Sequence, residues 1–140
     1  MTKSYFAALL CALTLGFSTP SFAASDLSRA LTPEVSVSGQ MTLEKFQALM
    51  KDGFQSVIVN RPDQEDGNLV KVDALRNIAE KAHVSVIYQP VISGQMKQTD
   101  VEEFARYYNE LPKPILMVCR SGSRSSQLFQ QAKTQGLIHE

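Results

Sequence analysis

Cysteine and histidine are scarce in this chain, neither sign of charge is in excess, and no apolar stretch is long enough to cross a bilayer. The 140 residues hold two cysteines, two histidines, 14 basic and 14 acidic side chains. A balanced charge leaves no basic stripe to neutralise the phosphates of a nucleic acid or an anionic membrane surface, and neither partner is expected. His83 and His139 stand at no metal-ligand spacing with Cys119 or with a carboxylate pair, so no metal and no cofactor are expected. The acidic cluster Asp63, Glu65 and Asp66 reads as a solvated loop rather than a cation site. The uncharged apolar stretch 5–17 falls short of the ~20 residues that a membrane span needs.

That stretch has another explanation. Lys3 supplies a positive start, and Ser21-Phe22-Ala23 puts small residues at the two positions that a signal peptidase reads. Residues 1–23 are therefore expected to be a signal peptide, cut after Ala23, which makes the mature protein periplasmic or secreted and leaves it without a membrane segment. Lys3 is the only charged residue removed, so the mature net charge becomes −1. Cys11 leaves as well. Cys119 then stays alone in a compartment that favours disulfides, and an unpaired thiol there calls for a reason, of which catalysis is one.

The surroundings of Cys119 supply that reason. Ile115-Leu116-Met117-Val118 reads as a buried strand, and residues 127–133 read as a helix. Between them lie Cys119, Arg120, Ser121, Gly122, Ser123, Arg124 and Ser125. A strand that turns tightly into a helix N-terminus aims consecutive N–H groups and the positive end of the helix dipole into one bowl, where an anion can sit. A cysteine in that field, with Arg120 and Arg124 nearby, should ionise below its free pKa of about 8.5, and the thiolate is the nucleophile.

The rest of the chain reads as alternating strands and helices. Residues 24–34 form a polar lead-in to a single domain over 35–140. Val35 and Val37 alternate as a strand; Leu43, Phe46, Leu49 and Met50 repeat at helical spacing over 42–52; Val57-Ile58-Val59 is a β-branched run suited to a strand buried on both faces. The polar stretch 60–68, broken by Pro62 and Gly67, is a loop at the carboxyl edge of the sheet, where ligands of open α/β sheets gather. A second helix over 72–82, a strand over 84–88 and a third helix follow, the last opened by Thr99 and Glu102 at capping-box spacing. Tyr107 and Tyr108 pack that helix, with one of them available to stack on an aryl substrate. The order β-α-β-α-β-α-β-loop-α calls for a largely parallel sheet with helices against its faces, an α/β fold. Ser38-Gly39-Gln40-Met41 recurs as Ser93-Gly94-Gln95-Met96, each copy leaving a strand ahead of a helix, which reflects shared turn chemistry more than duplication.

Taken together, Val37-Ser38-Gly39-Gln40, the segment Val57-Ile58-Val59-Asn60-Arg61-Pro62-Asp63, Pro90-Val91 ahead of a helix, and the loop from Cys119 to Ser125 resemble the phosphatase-like domain of the beta-lactamase-hydrolase-like proteins. The resemblance covers nearly all of 35–132. It implies a fold like that of the tyrosine and dual-specificity phosphatases, with the Cys-x4-Arg loop cradling an oxyanion. Members are described both as phosphatase-like hydrolases and as sulfurtransferases.

The two chemistries ask for different groups. A cysteine phosphatase uses Cys119 to attack phosphorus, Arg124 to neutralise the transferring oxygens and an acid to protonate the leaving alcohol. The Cys119 to Arg124 spacing is one residue shorter than in the classical tyrosine phosphatases, Val118 stands where they carry histidine, and the 90–95 loop has no aspartate. Asp63 and Asp66 are the candidate acids, with turn formation beside Pro62 and Gly67 as their alternative role. Sulfur transfer through a persulfide on Cys119 needs no separate acid, although no glycine-histidine element of the rhodanese kind follows the first buried strand. A third possibility is a module that binds an anion without turning it over. The expected partner is a small anion, either a phosphoester or a sulfane-sulfur donor.

Overall fold

The computed structural model describes Gly16 and residues 26–140; the expected signal peptide, Cys11 included, lies outside the described residues. Nine elements follow one another: β1 (Arg29–Thr32), β2 (Val35–Ser38), α1 (Leu43–Leu49), β3 (Ser56–Val59), α2 (Val72–Lys81), β4 (Ser85–Tyr88), α3 (Gln98–Glu110), β5 (Ile115–Val118) and α4 (Ser123–Thr134). They build a five-stranded sheet in the order β1-β2-β5-β3-β4. Strands β2, β5, β3 and β4 are parallel, and β1 is antiparallel to β2. No helix among the described residues is long and apolar enough to cross a membrane.

Side-chain alternation divides the core in two. On β5, Ile115 and Met117 face a cluster with Phe104, Tyr108, Leu128 and Phe129 from α3 and α4, whereas Leu116 and Val118 face Phe46, Leu49, Leu75 and Ala79 from α1 and α2. All four residues of β3 and of β5 are buried, as strands covered on both faces must be. Tyr108 sits between Phe104 and Phe129, with ring centroids 5.9 and 6.0 Å away. It belongs to the core, and Tyr107, half-buried, packs against the same cluster and bonds Glu103.

Four details depart from the sequence reading. The lead-in is not irregular: Arg29–Thr32 pairs with β2 in a hairpin whose turn is held by the Glu34 N–H on Thr32 Oγ1. Two of its four residues are exposed and Leu31 alone packs on the core, so no apolar alternation advertised it. Helix α3 starts at Gln98, and its first turn is capped by Asp100, whose carboxylate accepts the Lys97 N–H at 2.8 Å; Thr99 lies inside the helix. Leu43 is exposed rather than part of the core. Helix α4 starts at Ser123, four residues before the expected start at Gln127.

The register sets up the site. Ser38, Val118, Val59 and Tyr88 end their strands side by side, so segments 39–42, 60–71, 89–97 and 119–122 emerge along one edge. Backbone bonds carry the sheet slightly further, from Cys119 N–H to Ser38, Asn60 N–H to Val118 and Gln89 N–H to Val59.

Candidate active site

Cys119 is the first residue past β5, and its side chain is buried by the turn that follows. Two glycines make the turn possible. Gly122 takes φ +87°, a conformation that side chains other than glycine's resist, and its N–H donates to Cys119 Sγ at 3.0 Å. Gly39 backs the loop so closely that a Cβ there would lie 3.0 Å from the Arg120 carbonyl oxygen and 3.2 Å from Ser121 Cα. Arg124 and Ser125 therefore stand on the first turn of α4 rather than in an open loop.

Burial pushes the Cys119 thiol up, but the N–H and hydroxyl of Ser125 and the N–H groups of Ser121 and Gly122 outweigh it and hold the thiol below the ordinary cysteine value. These donors are the largest stabilising contributions. The Ser125 hydroxyl also lies 2.8 Å from Asn60 Oδ1, and Asn60 is oriented by its own Nδ2 on the Gln89 carbonyl. One hydroxyl proton thus has two acceptors, the amide oxygen and the sulfur, and serves one at a time.

Arg124 is nearly buried, at 8% exposure. Its Nη1 donates to Val91 O at 2.8 Å and to Glu65 Oε2 at 2.9 Å, and its Nη2 donates to Glu65 Oε1 at 3.0 Å. The fork is bidentate, which fixes the plane of the guanidinium. Its Nε–H is left buried and without a partner. The bond from Arg124 holds the Glu65 carboxyl below the ordinary carboxylate range, against the opposing effect of burial. Arg61, buried beside it, lies 3.5 Å from Glu65 through Nε and bonds Gln40 and the Asp66 carbonyl, so the 60–71 segment is tied to the segment after β2.

A cavity of about 440 Å³ opens above Cys119, lined on one side by Arg120, Ser121, Ser123, Arg124 and Gln127 and on the other by Ile92, Ser93, Gly94 and Met96. Of the residues expected at the site, the structure gathers Cys119, Arg120, Ser121, Ser123 and Arg124 on this wall, with Gly122 and Ser125 buried behind it. The two aspartates are not on it. Asp63 caps α2, its Oδ1 accepting the Val72 N–H at 2.9 Å while its own N–H donates to the Tyr88 hydroxyl. Asp66 is exposed. The carboxylate that does reach the loop is Glu65, which the sequence reading left among solvated residues. The two Ser-Gly-Gln-Met copies are used differently: the first supports the loop from beneath, and the second forms the cavity's far wall.

Comparison with known proteins agrees with this arrangement. Residues 26–136 match the family model described as "Beta-lactamase hydrolase-like protein, phosphatase-like domain". A beta-lactamase hydrolase-like protein of Xylella fastidiosa is 28% identical over 99 residues, which are 71% of this chain and 23% of the relative. The chain thus spans about a quarter of the length of the curated relatives it matches. Among solved structures, a "putative phosphatase" of Neisseria meningitidis superposes with a TM-score of 0.68 at 28% identity, over 76% of this chain and 77% of the other. A second protein so described, from Shewanella putrefaciens, gives 0.66 at 24% identity over 79% and 69%.

Proposed function

The chain belongs to the phosphatase-like domain family of the beta-lactamase hydrolase-like proteins, and we propose that it is a cysteine-dependent phosphatase-like hydrolase. The observation that carries this reading is that Arg124, whose buried Nε–H has no partner, shares a cavity wall with a thiol held below its ordinary value. A buried donor without an acceptor is costly, about 1–3 kcal/mol, and a phosphoryl oxygen would relieve that cost. Cys119 is then the nucleophile, Arg124 neutralises the oxygens of the transferring group, and the N–H groups of the turn complete the cradle. Glu65 holds the guanidinium flat and in place. Asp63 has a structural task, and the acid role first considered for it and for Asp66 has no support from their positions.

A second reading is sulfur transfer through a persulfide on Cys119. It is favoured by the makeup of the cavity wall, which holds no carboxylate and no histidine, since transfer from a donor such as thiosulfate needs no acid. One set of assays separates the readings. Phosphate release from an aryl phosphate should disappear in Cys119→Ser with oxyanion binding retained, and Arg124→Ala should lose both. A gain of one sulfur on Cys119 that turns over with thiosulfate and a thiol, without phosphate release from any ester, would replace the phosphatase reading. Anion binding with neither activity would leave a binding module.

A further inference from the structure

All 14 carboxylates and both histidines of the chain lie among the described residues, and none of them lines the cavity above Cys119. Nor does any lysine or tyrosine among the described residues. Glu65 spends both oxygens on Arg124 and stays ionised, and Asp63 is committed to the α2 N-terminus. A positioned acid contributes about 10²–10⁴-fold to the departure of a basic leaving group, so this wall suits a group that leaves as a stable anion. Arg120 adds a second, independent observation. It stands exposed on the cavity wall, its side chain without a hydrogen bond or ion pair among the described residues, although its charge is felt at Glu65. A guanidinium that remains free after Arg124 has taken the transferring group fits a substrate with a further anionic group next to the bond that breaks.

Resting on the phosphatase reading, we infer that the substrate of this site is a phosphoanhydride, with Arg120 receiving the leaving phosphate. Cys119 Sγ attacks the terminal phosphorus; an S–P bond forms as the bridging P–O bond breaks, and the electron pair leaves on a phosphate already stable as an anion, with no proton transferred. Water then attacks the phosphocysteine, the S–P pair returns to sulfur as thiolate, and both water hydrogens leave on inorganic phosphate. Ile92 and Met96, on the opposite wall, face the organic part of the substrate.

The test measures phosphate released by the full chain from inorganic pyrophosphate, a nucleoside diphosphate, p-nitrophenyl phosphate and glycerol phosphate, with Cys119→Ser as the blank. An anhydride and the aryl ester should be cleaved, and glycerol phosphate at least about a hundredfold more slowly. In Arg120→Ala the ratio of kcat/KM for the anhydride to that for the aryl ester should fall about tenfold. Glycerol phosphate cleaved as fast as the aryl ester, anhydrides left intact while the aryl ester is cleaved, or an unchanged ratio in Arg120→Ala would each overturn the inference and leave the phosphatase reading standing. No phosphate from any of the four overturns both.

Discussion

Removing the Ser125 hydroxyl should raise the pKa of Cys119. The hydroxyl is fully buried, is one of the groups that stabilise the thiolate, and is shared with Asn60 Oδ1 at 2.8 Å. A hydrogen bond to a charged group is worth about 1.5–3 kcal/mol. One pKa unit corresponds to about 1.36 kcal/mol, so a hydroxyl wholly given to the sulfur would account for about one to two units. Because Asn60 competes for the same proton, Ser125→Ala should move the midpoint up by about one unit, at the low end of that span. The backbone N–H of Ser125 survives the substitution and limits the rise. Ultraviolet absorbance of the thiolate against pH reads the midpoint, with Cys119→Ser subtracted to remove Cys11. Asn60→Asp should also raise the midpoint, since a charged acceptor draws the hydroxyl away from sulfur and its negative charge opposes the thiolate, and only the second effect should remain in the Ser125→Ala background. A midpoint that stays put or falls in Ser125→Ala would refute the account of how this thiol is ionised.

Other expectations follow from the same geometry. Glu65→Gln leaves the Arg124 fork with a neutral partner and should cost about 1–3 kcal/mol of stability, read by chemical denaturation. Since the Glu65 carboxyl is held low when folded, its contribution is present above the unfolded value of about 4.3 and is lost as pH falls through the lower folded value; the wild-type advantage over Glu65→Gln should therefore vanish in acid and hold at neutral pH. Gly39→Ala forces a Cβ against loop backbone, so unfolding should show a loss of about 1–3 kcal/mol and oxyanion binding should weaken, whereas unchanged binding would mean that the loop does not rest on residue 39. Asp63→Ala removes a cap and should lower stability by about 1 kcal/mol without altering the ratio of aryl to alkyl phosphate hydrolysis; a change in that ratio would restore Asp63 as the acid.

Much of the fold was legible because it rests on periodicity and on strongly apolar runs. Ile115 to Val118 and Val57 to Val59 could only be strands covered on both faces, and their alternation with helical patterns called for parallel pairing. The loop itself stood out too, since a cysteine, two arginines and a glycine lie together between a buried strand and a helix. Element ends were less so. The half-exposed β1 and the Ser-rich first turn of α4 carry no apolar period, and backbone pairing and the Gly122 conformation form them.

What the chain's sequence by itself determined is the cysteine, the arginines beside it and the strand-loop-helix frame that holds them, because those depend on neighbours within a few residues. Which acidic residue serves the site was decided only in three dimensions. Asp63, Glu65 and Asp66 look alike along the chain, yet the parallel register brings the segment after β3 against the start of α4, and only Glu65 then meets Arg124, which is 59 positions away. Asp63 turns instead to the free N–H groups of α2, whose unsatisfied donors no local pattern in its own loop reveals. Asn60 acquires its link to Ser125 in the same way, across 65 positions, because strands β3 and β5 end level with each other and set the carboxyl edge of one beside the helix that follows the other.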